Sequence, residues 1–249
     1  MDKIAIISDI HSNLTALDTV LADIRGRGIE RIVCLGDLVG KGPQPAESVD
    51  RIREVCETTV QGNWDHGIGG PQDKEAGRWQ QSRLSAEQLR YLSKLPFACD
   101  LRISGRRVRL VHASASSVYH RVYRKASKRE KLRMFENTEA TGGFAGTDET
   151  PDVLGYGDLH LPFMHTLLSG AKQGLLLFNT GSVGAPYDGL PLASYTILEG
   201  VFGGDREAPF GIQWVRVPYD VERAIAIAEE VALPQLERFR YEQRSGREQ

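Results

Sequence analysis

The sequence contains little cysteine, no long apolar run and almost no net charge. Three cysteines occur among 249 residues, without Cys-x-x-Cys spacing, which argues against a disulfide framework or a zinc cluster. Such sparse cysteine usage fits a reducing cytoplasm. No stretch approaches the ~20 apolar residues needed to cross a bilayer, so no membrane partner is expected. A net charge of −2 gives no overall attraction to duplex nucleic acid, so any attraction to phosphate must come from a local site.

The remaining composition is that of an ordinary globular protein. Hydrophobic residues make up 41% of the chain and charged residues 26%. The chain enters a strand pattern at Lys3-Ile4 without a cationic and apolar leader, so no signal peptide is expected and a cytoplasmic location is favoured. Neither an internal repeat nor a linker divides the sequence. We therefore expect a single domain over residues 1–249.

Alternating strand and helix patterns over the first 60 residues predict an α/β arrangement. The apolar runs 4–7, 31–35 and 58–60 are typical of buried strands. Helical spacing of apolar residues after Asn13, a good N-cap residue, predicts the first helix, and residues 46–56 predict the second. This order favours parallel strands joined by right-handed crossovers.

The rest of the chain is predicted to be mixed. Residues 114–150 are polar and basic at first, then rich in Gly, Thr and Glu, and we expect them to form an excursion over the site. The charged tail from about residue 240 is expected to be loose. Further elements are predicted as a helix at 84–95, a strand at 107–111, four β-rich runs between 151 and 217 and a closing helix at about 220–238.

Five short polar motifs each follow an apolar run that predicts a buried strand. Open α/β sheets place their ligand sites at the carboxyl ends of strands, so we expect the motifs to converge. Taken singly, each is a common turn or capping pattern. Together they supply Asp, His and Asn side chains suited to two metal ions that share a carboxylate. The motifs are Asp9-Ile10-His11, Gly36-Asp37, Gly62-Asn63, His112 and Asp158-Leu159-His160.

The order of these motifs resembles that of the calcineurin-like metallophosphoesterases. Residues 179–184 and 193–195 are similar to the small bacterial and archaeal branch, which includes phosphodiesterases and diadenosine-tetraphosphatase-like proteins. The resemblance spans residues 4–200. It implies an α/β fold, a two-sheet αββα sandwich with flanking helices, and a dinuclear metal centre between the sheets.

The resemblance also implies which residues hold the metal ions. Mn²⁺ or Fe is expected, with Mg²⁺, Zn²⁺ or Ni²⁺ as alternatives, because the set combines carboxylate and amide oxygens with imidazole. One ion would be held by Asp9, His11 and His160 and the other by Asn63, His112 and Asp158, with Asp37 bridging the two.

The chain departs from the family pattern at two positions. Asp158 stands where the family usually has His, which adds negative charge and hard oxygen character, and it either ligates or weakens the second ion. Trp64 stands where many members place a His that acts as general acid or transition-state donor. His66 is the candidate to supply that proton from a displaced position, and the alternative is a surface His beyond the turn.

A basic segment close to His112 predicts a clamp for an anionic substrate. Residues 119–133 hold seven Lys or Arg and one Glu. A solvated helix face is the alternative interpretation. Arginine can make forked contacts with phosphate, and tyrosine can stack on a base. The candidates for substrate binding are Tyr119, Arg121, Arg124 and, in the loop after Gly40, Lys41.

These features imply a metal-dependent phosphoric ester hydrolase, either a phosphatase or a phosphodiesterase. Two ions sharing Asp37 would lower the pKa of a bridging water, and the hydroxide would attack phosphorus in line. The basic segment favours a phosphorylated small molecule, such as a nucleotide or a dinucleoside polyphosphate, over a phosphoprotein or a general phosphodiester. A catalytically weak or inactive phosphoesterase-fold scaffold for protein interaction is the competing hypothesis, because fold alone does not establish function.

Overall fold

The computed structural model describes residues 1–170 and 173–249. Within these residues, no helix is both long and apolar enough to cross a membrane. The strands are β1 (Asp2–Ile7), β2 (Arg31–Cys34), β3 (Thr58–Thr59), β4 (Ala98–Ile103), β5 (Arg106–Val111), β6 (Val153–Tyr156), β7 (Phe163–Leu168), β8 (Gly174–Asn179), β9 (Ala193–Gly200) and β10 (Gly211–Val217). The α-helices are α1 (Leu14–Gly26), α2 (Pro45–Val55), α3 (Asn63–Gly67), α4 (Glu75–Ser82), α5 (Ala86–Ser93), α6 (Lys128–Arg133), α7 (Val221–Glu230) and α8 (Leu236–Ser245).

The strands form two five-stranded mixed sheets. The first has the order β10-β9-β1-β2-β3 and the second β4-β5-β6-β8-β7. In the first sheet β1, β2 and β3 are parallel, and β9 and β10 add antiparallel strands beyond β1. In the second sheet β5, β6 and β8 are parallel, with antiparallel strands at both edges. The parallel arrangement predicted for the first 60 residues is confirmed.

Alternate residues of β1 face different layers of the molecule. Ile4 and Ile6 pack in a core with residues of the second sheet, including Phe178. Ala5 and Ile7 pack in a core that contains the buried residues of α1 and α2. Because successive side chains of a strand point to opposite faces, a strand buried in both cores must be apolar throughout. The result is the expected two-sheet sandwich with helices against its outer face.

Two edge strands of the second sheet were not predicted. β4 pairs with β5, and β7 pairs with β8. Most of β4 is only half-buried, and β7 alternates buried Phe163 and Leu167 with exposed Met164 and Leu168. Neither strand therefore carries the continuous apolar run that marks the central strands.

The C-terminal segment is ordered, whereas the sequence predicted one closing helix followed by a loose tail from about residue 240. The predicted helix is two helices, α7 and α8, and the second continues to Ser245. Glu242 and Gln243 are buried. Gln243 accepts a hydrogen bond from Asn13 Nδ2 at 3.0 Å and donates one to the carbonyl of Gly184 at 3.0 Å. Helix α8 is held against the rest of the protein by hydrogen bonds of polar side chains. Its low hydropathy therefore gives no sign that one face is buried.

Candidate metal centre

The strand ends bring the predicted metal ligands to one cavity between the two sheets. Asp9 and Asp37 follow β1 and β2, Asn63 begins α3 after β3, and His112 directly follows β5. A cavity of about 190 Å³ is lined by His11, Asp37, Asn63, Asp158 and His160, and Asp9 and His112 contact its walls. All seven are buried except Asn63, which is half-buried.

Most of these ligands have backbone torsions that are unusual for residues other than glycine. A positive φ is sparsely populated by L-residues and persists where the surrounding structure fixes it. Strained backbone of this kind clusters at functional sites, and here it occurs at pairs of ligands that are two residues apart in one loop. The φ angles are 54° for Asp9, 48° for His11, 53° for Asp37, 60° for Asp158 and 58° for His160.

One group of ligands consists of Asp9, His11 and His160. The Nε2 atom of His160 lies 3.3 Å from Asp9 Oδ1, and that of His11 lies 3.9 Å from the same oxygen. The two Nε2 atoms are 3.2 Å apart. Three ligand atoms therefore converge on one point, as the sequence predicted.

A second group surrounds the carboxylate of Asp37. Its Oδ2 lies 3.6 Å from His11 Nε2, while its Oδ1 lies 3.5 Å from His112 Nε2. His112 Nε2 also lies 3.1 Å from Asn63 Oδ1 and 4.0 Å from Asp158 Oδ1. Each oxygen of Asp37 thus faces a different group of ligands, which is the geometry a bridging carboxylate requires.

Backbone carbonyls fix the orientation of all three histidines. When Nδ1 donates to a carbonyl, the neutral ring presents an unprotonated Nε2 on its other side, which is the usual arrangement of a metal-ligating His. The Nδ1 partners are the carbonyls of Val39 for His11 at 3.1 Å, Leu35 for His112 at 2.7 Å and Ala185 for His160 at 2.5 Å.

The donor set fits metal ions. When both rings are neutral and their Nδ1 atoms donate to carbonyls, His11 and His160 direct two lone pairs at each other. Among the described residues, buried Asp9 Oδ1 has no hydrogen-bond partner. An unpaired buried carboxylate oxygen beside two imidazole lone pairs is electrostatically unfavourable without a cation. Carboxylate, amide and imidazole together suit Mn²⁺, Fe or Zn²⁺.

The electrostatics of the centre show how strongly these groups depend on one another. Burial raises the pKa of Asp37 well above its usual value, although neighbouring His112 opposes this shift. Burial also raises the pKa of Asp9, but the combined interactions with His160, His112 and His11 outweigh it and the net pKa is lowered. Burial lowers the pKa of His112, yet three carboxylates, Asp37 foremost, raise it to about 9. Metal ions bound here would neutralise part of this buried negative charge.

Asp65 is a structural residue of the centre whose role the sequence did not reveal. Its buried carboxylate accepts hydrogen bonds from the backbone N–H groups of Asp37 at 2.7 Å, Leu38 at 2.9 Å and Gly62 at 3.0 Å. It therefore ties the turn after β2 to the turn after β3. The adjacent Gly-Asn motif was the available signal, because a carboxylate two residues beyond Asn63 lies in the first turn of α3 and can reach back to the turn before it.

Trp64 is fixed at the edge of the metal cavity. Its backbone N–H donates to Asp37 Oδ1 at 2.8 Å, and its ring lies edge-on to His11 with centroids 6.2 Å apart. The ring packs on Gly40, where a Cβ atom would come within 2.5 Å of the indole. At the position where many family members carry a polar His, this chain has the flat, largely apolar ring of Trp64, held by these contacts.

Asp158 is engaged by Arg121. The guanidinium donates to both carboxylate oxygens at 3.1 Å, forming a forked ion pair. The backbone N–H of Asp158 donates to Asp9 Oδ2 at 3.1 Å. Arg121 and Asp158 both line the metal cavity, so one of the predicted phosphate contacts lies beside the predicted second metal position.

The other predicted substrate residues differ in their distance from the centre. Lys41 lines the metal cavity, and its amine donates to Tyr187 Oη at 2.8 Å. Tyr119 is exposed and its hydroxyl lies 2.8 Å from His66 Nδ1, outside that cavity. Arg124 does not line the cavity; its guanidinium lies 6.0 Å from the ring centroid of Phe163. The roles of Arg124 in substrate binding and of His66 in proton donation stay predictions.

The segment after β8 supports the first group of ligands. Ser182 Oγ donates to the carbonyl of Asp9 at 2.8 Å and accepts from the backbone N–H of Ala185 at 2.8 Å. Ala185 in turn orients His160. Tyr187, which sequence patterns did not single out, stacks on the His160 ring with centroids 4.6 Å apart.

Comparisons with known proteins agree with this geometry. Residues 2–200 match the calcineurin-like phosphoesterase superfamily domain. An uncharacterized protein of Methanocaldococcus jannaschii is 36% identical over 245 residues, covering 89% of each chain. Phosphodiesterase YfcE of Escherichia coli is 27% identical over 212 residues, covering 80% of this chain and 88% of YfcE. A metallophosphoesterase structure from Sphaerobacter thermophilus is 28% identical with a TM-score of 0.74, covering 98% of this chain and 99% of that one. The chain belongs to the calcineurin-like phosphoesterase superfamily.

Proposed function

We propose that this chain hydrolyses phosphate monoesters or diesters with the help of two divalent metal ions, Mn²⁺ or Fe fitting the donor set best. Family membership supports phosphoester hydrolysis in general. The observation that carries the dinuclear proposal is the position of Asp37, whose two oxygens face His11 and His112 at 3.6 and 3.5 Å. When bound, two such ions would activate a water and offset the negative charge of the phosphoryl oxygens.

The side chains around the cavity have separate roles in this proposal. Asp37 and the flanking histidines hold the ions, and the carbonyl contacts of the histidines keep their Nε2 atoms aimed inward. Arg121 and Lys41 supply fixed positive charge at the wall of the cavity, where they would orient the phosphate oxygens. Burial of the ligands keeps water from screening these charges.

A phosphorylated small molecule is the proposed substrate, with nucleotides and dinucleoside polyphosphates favoured over a phosphoprotein. Support comes from Arg121 in the basic segment, which reaches the cavity, and from the similarity to phosphodiesterase YfcE. The three free cysteines support a cytoplasmic location, where thiols stay reduced.

The test is hydrolysis of chromogenic phosphate monoesters and diesters by chelated protein with and without Mn²⁺. Asp37→Asn should abolish metal-dependent turnover, because the amide cannot supply two anionic oxygens to two ions. Asp148→Asn, a matched substitution at an exposed position, should retain turnover. The ratio of monoester to diester turnover would then identify the reaction.

An inactive scaffold is the alternative function, favoured by the two departures from the family pattern, Trp64 and the Arg121-paired Asp158. Absence of turnover with every divalent metal tested, in protein shown to bind the metal, would support the scaffold and reject the hydrolase.

A further inference from the structure

A second and larger cavity lies beside the metal centre. Its volume is about 460 Å³, within the range of roughly 300–1,000 Å³ typical of small-molecule sites. Lys41, Asn63 and Trp64 line both this cavity and the metal cavity. A molecule whose phosphate lies at the metal centre could therefore extend an attached group directly into the larger cavity.

The inner walls of the larger cavity are apolar. Ile68, Leu233 and Phe239 line it and are buried, with exposed fractions of 1%, 5% and 4%. Trp64 forms the wall nearest the metal centre. Because Gly40 and His11 hold the indole from behind, the ring offers a fixed flat surface and loses little entropy when a ligand packs on it.

Polar groups in the walls are mostly engaged within the protein. Gln80 accepts from Ser12 Oγ at 3.0 Å and donates to the carbonyl of Gly42 at 2.7 Å. Glu242 accepts from Tyr187 Oη at 2.8 Å and from Arg238 Nε at 2.7 Å. An occupant thus meets few free donors or acceptors deep in the cavity, which disfavours a hydroxyl-rich group such as a sugar alcohol.

We propose that this cavity binds the organic group of the phosphoester, and that this group is a planar aromatic ring system of nucleoside size. The proposal rests on the proposed function for the placement of the phosphate. The aromatic ring stacks on or packs against Trp64, and the apolar walls contributed by α3, α4 and the start of α8 exclude water from it. The ordered C-terminal helix is therefore part of the substrate site.

Filling the cavity tests this proposal without touching a metal ligand. Ala76 lies on α4 and lines the cavity, so Ala76→Phe places a ring inside it. Ala86→Phe makes the same change on α5, at an exposed position outside the cavity. Thermal melting of both variants reports whether they fold, and Ala76→Leu is a smaller filling variant if Ala76→Phe does not.

The first measurement is calorimetric titration of the full metal-free chain with adenosine, which carries no phosphate and needs no catalysis. Wild-type protein and Ala86→Phe should bind adenosine equally, and Ala76→Phe should bind at least tenfold more weakly. Failure of the wild-type chain to bind adenosine, or equal binding by Ala76→Phe, would overturn the proposal.

The second measurement separates this proposal from the proposed function. With Mn²⁺, we compare kcat/KM for adenosine monophosphate and for glycerol 2-phosphate, and expect Ala76→Phe to lower their ratio at least tenfold. Adenosine binding without hydrolysis of either ester or of the chromogenic diester would reject the hydrolase and keep the cavity as an aromatic site. If both esters are hydrolysed and Ala76→Phe leaves the ratio of their kcat/KM values unchanged, the proposed role of the cavity is rejected and the proposed hydrolase activity stands.

Discussion

The Nε2 atoms of His11 and His160 lie 3.2 Å apart in the interior of the protein. When both rings are neutral and donate from Nδ1 to backbone carbonyls, both Nε2 atoms carry lone pairs. Asp9 Oδ1 lies 3.3 Å from one of them and has no other partner among the described residues. Repulsion among these three acceptor atoms opposes folding when no cation is bound. A cation placed between them would attract all three and stabilise the folded state.

Metal binding should therefore raise thermal stability. A ligand that binds only the folded state at 100 times its Kd adds about 2.7 kcal/mol to the free energy of unfolding. For a chain of this size, that corresponds to a rise in Tm of about 5–10 °C. Differential scanning calorimetry of chelated protein with and without Mn²⁺ measures the shift.

Asp9→Asn is the control for this stabilisation. The amide keeps an oxygen for the backbone N–H of Asp158 but removes the negative charge. We expect the variant to fold and to show less than half of the Mn²⁺-induced shift. An undiminished shift would mean that Mn²⁺ stabilises the chain at another place.

Asp158→Asn should lower the metal content from two ions to one per chain. The carboxylate lies 4.0 Å from His112 Nε2, which also faces Asp37 Oδ1 at 3.5 Å. Loss of its charge weakens the second position while Asp9, His11 and His160 remain. Elemental analysis after dialysis against Mn²⁺ counts the ions.

Arg121→Gln is the companion variant for metal content. It removes the cation paired with Asp158 but no metal ligand, so we expect two ions per chain. Two ions in Asp158→Asn as well would show that Asp158 is not required to hold the second ion and that a water can take its place.

Sequence patterns predicted that the candidate ligands lie close together because these residues follow apolar strands. β1, β2 and β5 are buried at their carboxyl ends, and such runs fix both the strand and the place where it ends. The sequence alone therefore predicts that Asp9, Asp37 and His112 lie at one edge of the molecule. The Asp and His motifs that follow these strands indicated metal ligands.

Patterns failed where burial depends on polar contacts between distant segments. Glu242 and Gln243 are buried where Tyr187 and Asn13, both far away in the sequence, bond to them, and no local periodicity records such partners. The large cavity was missed for the same reason, since its walls come from segments about 170 residues apart in sequence, as the Ile68–Phe239 separation shows. The burial of Glu242 and Gln243 and the larger cavity both depend on contacts between segments that are far apart in the sequence.

Asp65→Asn should destabilise the protein and weaken metal binding. The carboxylate accepts three backbone N–H bonds, and the asparagine NH₂ would face donors at one of the two oxygens. Leaving a buried donor unpaired costs about 1–3 kcal/mol, and the loss of charge-assisted bonds adds to this. We expect the free energy of unfolding of Asp65→Asn, measured in guanidinium, to be about 3 kcal/mol lower than that of the wild type. Asp148→Asn should change stability by less than about 0.5 kcal/mol.

Gly40→Ala should destabilise the protein more than Gly28→Ala. Both glycines have positive φ, 92° and 66°, which costs an L-residue about 1–2 kcal/mol. A Cβ at Gly28 meets nothing within 4 Å, whereas one at Gly40 lies 2.5 Å from the Trp64 ring. The difference between the two variants therefore isolates the contact that holds Trp64.

Displacing Trp64 should have a consequence beyond stability. We expect the free energy of unfolding, measured in guanidinium, to fall by at least about 1 kcal/mol more in Gly40→Ala than in Gly28→Ala, because overpacking destabilises protein cores. It should also bind adenosine more weakly, because the flat wall of the larger cavity moves. Equal stability of the two variants would show that the indole shifts freely, and a fixed stacking surface would then be the wrong description of Trp64.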